Sequence, residues 1–137
     1  MLKIIAAAMV SIFACASFAA TSYDARGNKT GTYKRNGSTV TQYDKAGNKT
    51  ATYRENSSGF TAYDARGNKT ETYRETRNGY SVYDARGNKT GSFKESANGT
   101  VTQYDARGNK VGTFKTDSRG NTVQYDARGN KVQTFRK

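Results

Sequence analysis

Cations recur at fixed places along the chain, and they are the residues with the clearest chemical purpose. Arg stands three residues after a leading Tyr at Arg26, Arg66, Arg86, Arg107 and Arg128. Lys stands at six residues, at Lys29, Lys49, Lys69, Lys89, Lys110 and Lys131, and Lys or Arg returns at eleven. With Tyr interleaved, this pattern suits the grip of a polyanion such as lipopolysaccharide, extracellular DNA or an acidic glycan, through charge and ring stacking. The plain alternative is a solvated face that keeps an apolar-poor sheet in solution, since no base-reading motif accompanies the charge.

Other chemistries lack their residues. The chain has no His and one Cys, Cys15, so nucleophile–base pairs and most transition-metal sites are not expected. No paired carboxylate or phosphate loop stands out, and the expectation is a non-enzyme with no catalytic, cofactor-binding or metal residues. One Asp per repeat is too few carboxylates for a dedicated calcium site. Asn28-Lys29-Thr30 and its copies at Asn48, Asn68 and Asn88 match a glycosylation acceptor, a pattern that comes free with a turn exiting into Lys-Thr.

The cations belong to a repeat. Tyr-Asp-Ala-Arg-Gly-Asn-Lys occurs whole at 23–29, 63–69, 83–89, 104–110 and 125–131, and with Lys45-Ala46 in its middle at 43–49. The starts are 20, 20, 20, 21 and 21 residues apart, a period that marks a repeat architecture. A second aromatic follows each leading Tyr by ten residues. The resulting ladder is Tyr23, Tyr33, Tyr43, Tyr53, Tyr63, Tyr73, Tyr83, Phe93, Tyr104, Phe114, Tyr125 and Phe135.

Each motif reads as a hairpin device. Asp first and Gly fourth is a type I turn, and a left-handed Gly then gives a three-residue loop with a bulge. The turn residues are Asp24 and Gly27, Asp44 and Gly47, Asp64 and Gly67, Asp84 and Gly87, Asp105 and Gly108, and Asp126 and Gly129. The Asp side chain is placed to accept backbone N–H groups of its own turn. Flanking stretches such as 39–44 and 49–54 are rich in Thr, Tyr and Val and lack helical periodicity, so they read as strands. The connection between repeats is looser but always holds Gly, and the extra residue of the last two periods falls there, where insertions cost little.

About twelve short strands follow. The expected fold is all-β: six tandem strand–turn–strand repeats of 20–21 residues forming an extended antiparallel meander sheet or a β-solenoid. A solenoid stacks Lys29, Lys49, Lys69 and Lys89 in one column at roughly 5 Å, so repulsion favours the meander.

Composition adds a constraint. Beyond Ala20 there is no Leu, Ile or Met, and the apolar residues are 10 Tyr, 4 Phe, 6 Val and 9 Ala. The formal charge is +12 for the whole chain, or +11 with Lys3 set aside. Such a composition resembles that of disordered chains, and a two-layer core is not expected from it. The scheduled aromatics, strand formers and turns point to a thin sheet held by stacked rings, or to a chain that orders on joining a partner.

Residues 1–19 differ in kind. A basic start at Lys3, an apolar run from Ile4 to about Ala16 and small residues at Ser17 and Ala19 predict a secretory signal peptide, too short for a comfortable membrane span. Lipidation at Cys15 is the alternative processing. The expected division is a signal peptide over 1–19 and a repeat domain over 20–137, exported to the cell surface, the extracellular space or the periplasm, without disulfides.

At these residues the chain resembles the YD repeats of RHS-type proteins, which carry Tyr-Asp-x-x-Gly and a second aromatic half a period on. The resemblance implies a secreted or surface-bound protein whose repeats form long spiralling β-sheets that enclose a toxin or bind carbohydrate. The chain departs at Lys29 and its equivalents, where that family usually carries an apolar residue. In plan, a leader followed by a few strand–turn–strand repeats also resembles curlin, the functional-amyloid subunit, with Gln42, Gly47-Asn48 and Ala51 echoing its pattern.

Both ends of the repeat array read like interior repeats, which predicts self-association through open sheet edges into a fibre or matrix. The function expected from sequence is therefore a structural or adhesive surface element. The runner-up is a monomeric module for anionic glycans or nucleic acid, and a third reading is an accessory of an RHS toxin system.

Overall fold

The computed structural model describes residues 17–136. Residues 1–16, which hold Cys15 and most of the expected signal peptide, lie outside that range.

The described chain is all strand and turn. Six hairpins follow one another: β1 (Ser17–Asp24) with β2 (Lys29–Asn36), β3 (Thr39–Asp44) with β4 (Lys49–Asn56), and β5 (Gly59–Asp64) with β6 (Lys69–Thr76). Then come β7 (Gly79–Asp84) with β8 (Lys89–Glu95), β9 (Val101–Asp105) with β10 (Lys110–Thr116), and β11 (Thr122–Asp126) with β12 (Lys131–Arg136). Every strand pairs antiparallel with its chain neighbours, and β12 pairs with β1, so the twelve strands form a closed barrel.

Closure corrects the expectation of an open sheet or a solenoid. The turns reverse the chain within the sheet, so equivalent residues of successive repeats lie two strands apart, roughly 10 Å, and not in a column at strand spacing. An open sheet would also leave one whole row of aromatics in water. Curling the sheet onto itself buries that row without a second layer, so the composition suffices for a core. With no free edge left, the edge-pairing argument for fibre growth loses its premise.

A one-residue irregularity decides which aromatics go inside. In the first hairpin Ser22 faces Gly31 but Tyr23 faces Lys29, so Thr30 is an extra residue and the register slips. The same slip recurs beside Tyr43, Tyr63, Tyr83 and Tyr125, and between Lys110 and Gly112 beside Tyr104. Side chains alternate across a strand, so a shift of one residue moves everything beyond it to the other face. The bulge therefore sends the leading Tyr outward and the aromatic ten residues later inward.

The twelve aromatics accordingly form two rings. Tyr33, Tyr53, Tyr73, Phe93, Phe114 and Phe135 are buried, none more than 4% exposed, and pack with Val40, Phe60, Val82 and Val101. Phe60 stacks on Tyr73 at 4.3 Å between centroids, and Tyr33 meets Phe135 edge-on at 5.9 Å across the closure. Contacts of this kind add about 0.5–1.5 kcal/mol per pair beyond burial. Tyr23, Tyr43, Tyr63, Tyr83, Tyr104 and Tyr125 stand half-buried on the outer wall. That wall is otherwise mostly Thr, Ser, Lys and Arg, with Val123 among them, and Val111 is the exposed large hydrophobic residue among the described residues. This polar-out, apolar-in order is the reverse of a lipid-facing barrel. No helix among the described residues is long and apolar enough to cross a membrane.

Candidate polyanion interface

Up-and-down order puts all six YD turns on one rim of the barrel. Their geometry is nearly invariant. In the first, the Gly27 N–H donates to the Asp24 carbonyl at 3.0 Å and the Asp24 N–H to the Asn28 carbonyl at 2.9 Å. Gly27 sits at φ +90°, a left-handed conformation costly for a residue with a Cβ. Asp24 Oδ1 accepts the backbone N–H groups of Arg26 and Asn28, each at 2.9 Å. Asn28 Nδ2 donates to Oδ2 at 3.2 Å. The other turns repeat this double acceptance at Asp44, Asp64, Asp84, Asp105 and Asp126.

These bonds settle the electrostatics of the rim. Hydrogen bonding, from the Asn28 backbone N–H above all, holds the Asp24 carboxyl below the usual carboxylate range, and the other five follow the same pattern. The carboxylates are charged but turned onto their own backbone. Arg26, Lys29, Lys49, Arg66, Lys69, Arg86, Lys89, Arg107, Lys110, Arg128 and Lys131 are all exposed on this rim, as is Lys45, which the Tyr-plus-three spacing misses.

A second ring of cations lies on the outer wall. Lys34, Arg54, Arg74, Lys94, Lys115 and Arg136 each sit over the outward Tyr of the next strand, at 4.9–5.6 Å from the ring centroid. On its other side each Tyr is paired in register with a rim lysine, as Tyr43 is with Lys49. Each outer Tyr is thus held between a cation of its own hairpin and one of the preceding hairpin. The set runs through the closure, where Arg136 covers Tyr23 at 5.1 Å.

The wall is hollowed between β7 and β9. Outward Thr faces Thr at Thr41–Thr52, Thr61–Thr72 and Thr102–Thr113, but Ser81 faces Ser92. A cavity of about 530 Å³ lies beside this pair, lined in part by Ser81, Ser92, Tyr104, Lys89, Lys94 and Arg107. Its four cations, Arg77 included, outnumber its one carboxylate, Asp105, and with the two hydroxyls they suit an acidic group on a polar body. The serines are visible in the sequence, but their meaning depends on knowing that they are opposed and outward.

The lumen holds the residue that sequence reasoning passed over. Glu71 is buried where the other repeats place Gly31, Ala51, Gly91, Gly112 and Gln133, and its carboxylate accepts the Tyr73 hydroxyl. Burial first, then Glu71, pushes the Tyr73 phenol far up. Tyr53 is raised by burial with Tyr33 and Glu71 adding, and its hydroxyl reaches Gln42 Oε1 at 3.2 Å. Burial pushes Tyr33 up to about 12. These phenols are neutral donors lining a packed core. No group of three or more His, Cys, Asp or Glu among the described residues is placed to hold a metal ion.

No family model, curated protein or solved structure matches the chain.

Proposed function

We propose that the protein is a non-enzymatic binding module, exported to or beyond the cell surface, that holds a polyanion by its YD rim and outer wall. The observation that carries this reading is the gathering of six equivalent turns on one rim, with their Asp turned inward on the backbone and their Lys and Arg exposed. Successive turns lie roughly 10 Å apart. Six similar weak contacts then act together on a long ligand, where each alone would bind poorly. Lipopolysaccharide, extracellular DNA and acidic glycans all present such a charge array. The structural or adhesive role expected of a surface protein follows from tethering a polymer of this kind.

The test is binding of a sulfated glycan and of a single-stranded oligonucleotide over a salt series. Affinity should fall steeply with salt, with the slope for the nucleic acid lowered by about 0.7 for each phosphate contact removed. Arg66→Gln/Lys69→Gln/Arg86→Gln/Lys89→Gln should weaken binding at least tenfold while leaving the circular dichroism melt in place. Salt-independent binding, or full affinity in that variant, would sink the reading.

A further inference from the structure

The barrel's closure is its one junction between neighbouring strands that no turn spans. β1 and β12 pair Thr21 with Arg136, Ser22 with Phe135, Tyr23 with Thr134 and Asp24 with Gln133, the register that the equivalent β2–β3 junction uses. Its chemistry matches the interior junctions. Thr134 faces Tyr23 as Thr32 faces Tyr43, and Arg136 covers Tyr23 as Lys34 covers Tyr43. Nothing in these contacts distinguishes the chain's own β1 from the β1 of another copy.

We propose that the β12–β1 seam is an interaction surface for a second copy of this chain, with β12 of one molecule pairing with β1 of another in the register the monomer uses. Opening exposes two complementary edges at once. Reciprocal pairing of two chains restores closure, and non-reciprocal pairing leaves an edge at each end and propagates. The closed monomer wins when dilute because its β1 is tethered nearby, and exchange grows with concentration. The pairing is made by backbone, so it holds whether or not Arg136 and Tyr23 of the outer wall also meet a polyanion.

The test is Thr21→Cys/Arg136→Cys, an outward pair directly opposed across the seam, in the full chain carrying Cys15→Ser. The control is Lys34→Cys/Thr41→Cys, the same position in β2–β3, where a turn joins the strands. Each is made in light and heavy isotope forms, mixed, incubated reduced across a concentration series, then oxidised and digested for mass spectrometry. The seam pair should give light–heavy crosslinks that rise with concentration, while the control stays within one chain. Seam protein oxidised when dilute should remain monomeric by sedimentation when later concentrated. Only intrachain crosslinks at every concentration would overturn the proposal. So would association that persists after the seam has been locked, because another surface would then be responsible. A seam variant that does not regain the wild-type circular dichroism when oxidised dilute is replaced by Tyr23→Cys/Thr134→Cys, read in the same way.

Discussion

The inner and outer aromatic rings are drawn from one rhythm of rings spaced ten or eleven residues apart, yet they serve opposite ends. The inner ring, from Tyr33 to Phe135, is a core. The outer ring, from Tyr23 to Tyr125, is a half-exposed belt under cations. Side-chain type does not separate them, since Tyr occurs in both. What separates them is a single extra residue per hairpin, such as Thr30 opposite Tyr23. Burial here is assigned by backbone register and not by hydrophobicity, which is how a chain without Leu, Ile or Met past its first residues fills a barrel.

The comparison breaks most completely if the extra residue goes. Deleting Thr70, the bulge residue between Glu71 and Lys69, turns Tyr73 outward or forces the hairpin to re-register. The cooperative melt by circular dichroism should be lost, an effect larger than that of any single core substitution. Next in size is Phe93→Ala, which empties part of the inner ring and should cost about 3–5 kcal/mol in urea unfolding. Its outer counterpart Tyr83→Ala should cost about 1 kcal/mol, the worth of an exposed cation–ring pair. Equal losses for the two would show that the rings are not distinct.

Alkali should separate the rings by another route. Tyr33 is raised from 10.0 to about 12, so its contribution is fully present below pH 10 and is lost as pH rises through about 12. The two units amount to roughly 3 kcal/mol. Unfolding and the last phenolate absorbance should therefore appear together in that window, and Tyr33→Phe should move the midpoint upward. The smallest effect belongs to Arg74→Gln. Removing one cation from above Tyr83 should lower stability by about 0.5–1 kcal/mol, and the difference should shrink in high salt.

Much of this fold could be read from residues in order. The Asp–Gly spacing gives the type I turn and its bulge, the Gly-bearing connections give the second turns, and the strands between them follow. The extra residue of the last two periods sits in turns at 96–99 and 117–120, which repeat the backbone hydrogen bonds of the YD turn on the opposite rim. Two features were not readable. The split of the aromatics depends on adding a bulge to a parity count, and equal spacing conceals it. Closure depends on β1 meeting β12 across the full length of the repeat array, and no local residue announces that partner. The two edges that an open sheet would leave free are instead paired with each other. The rim cations were legible as residues, but their convergence on one rim, and the cavity over Ser81 and Ser92, come only with the folded ladder.

The seam's fidelity to the interior junctions has a consequence at the level of heredity. A gene encoding nearly identical stretches end to end is prone to unequal exchange, which removes or adds a whole repeat at a time. In most proteins such an event is ruinous. Here a hairpin gained or lost leaves every remaining junction, including β12 against β1, in its old register, and changes the girth of the ring and the number of cations on its rim. Copy number then becomes a dial on ring size and rim charge that a lineage can turn in single steps, without altering one amino acid of the unit.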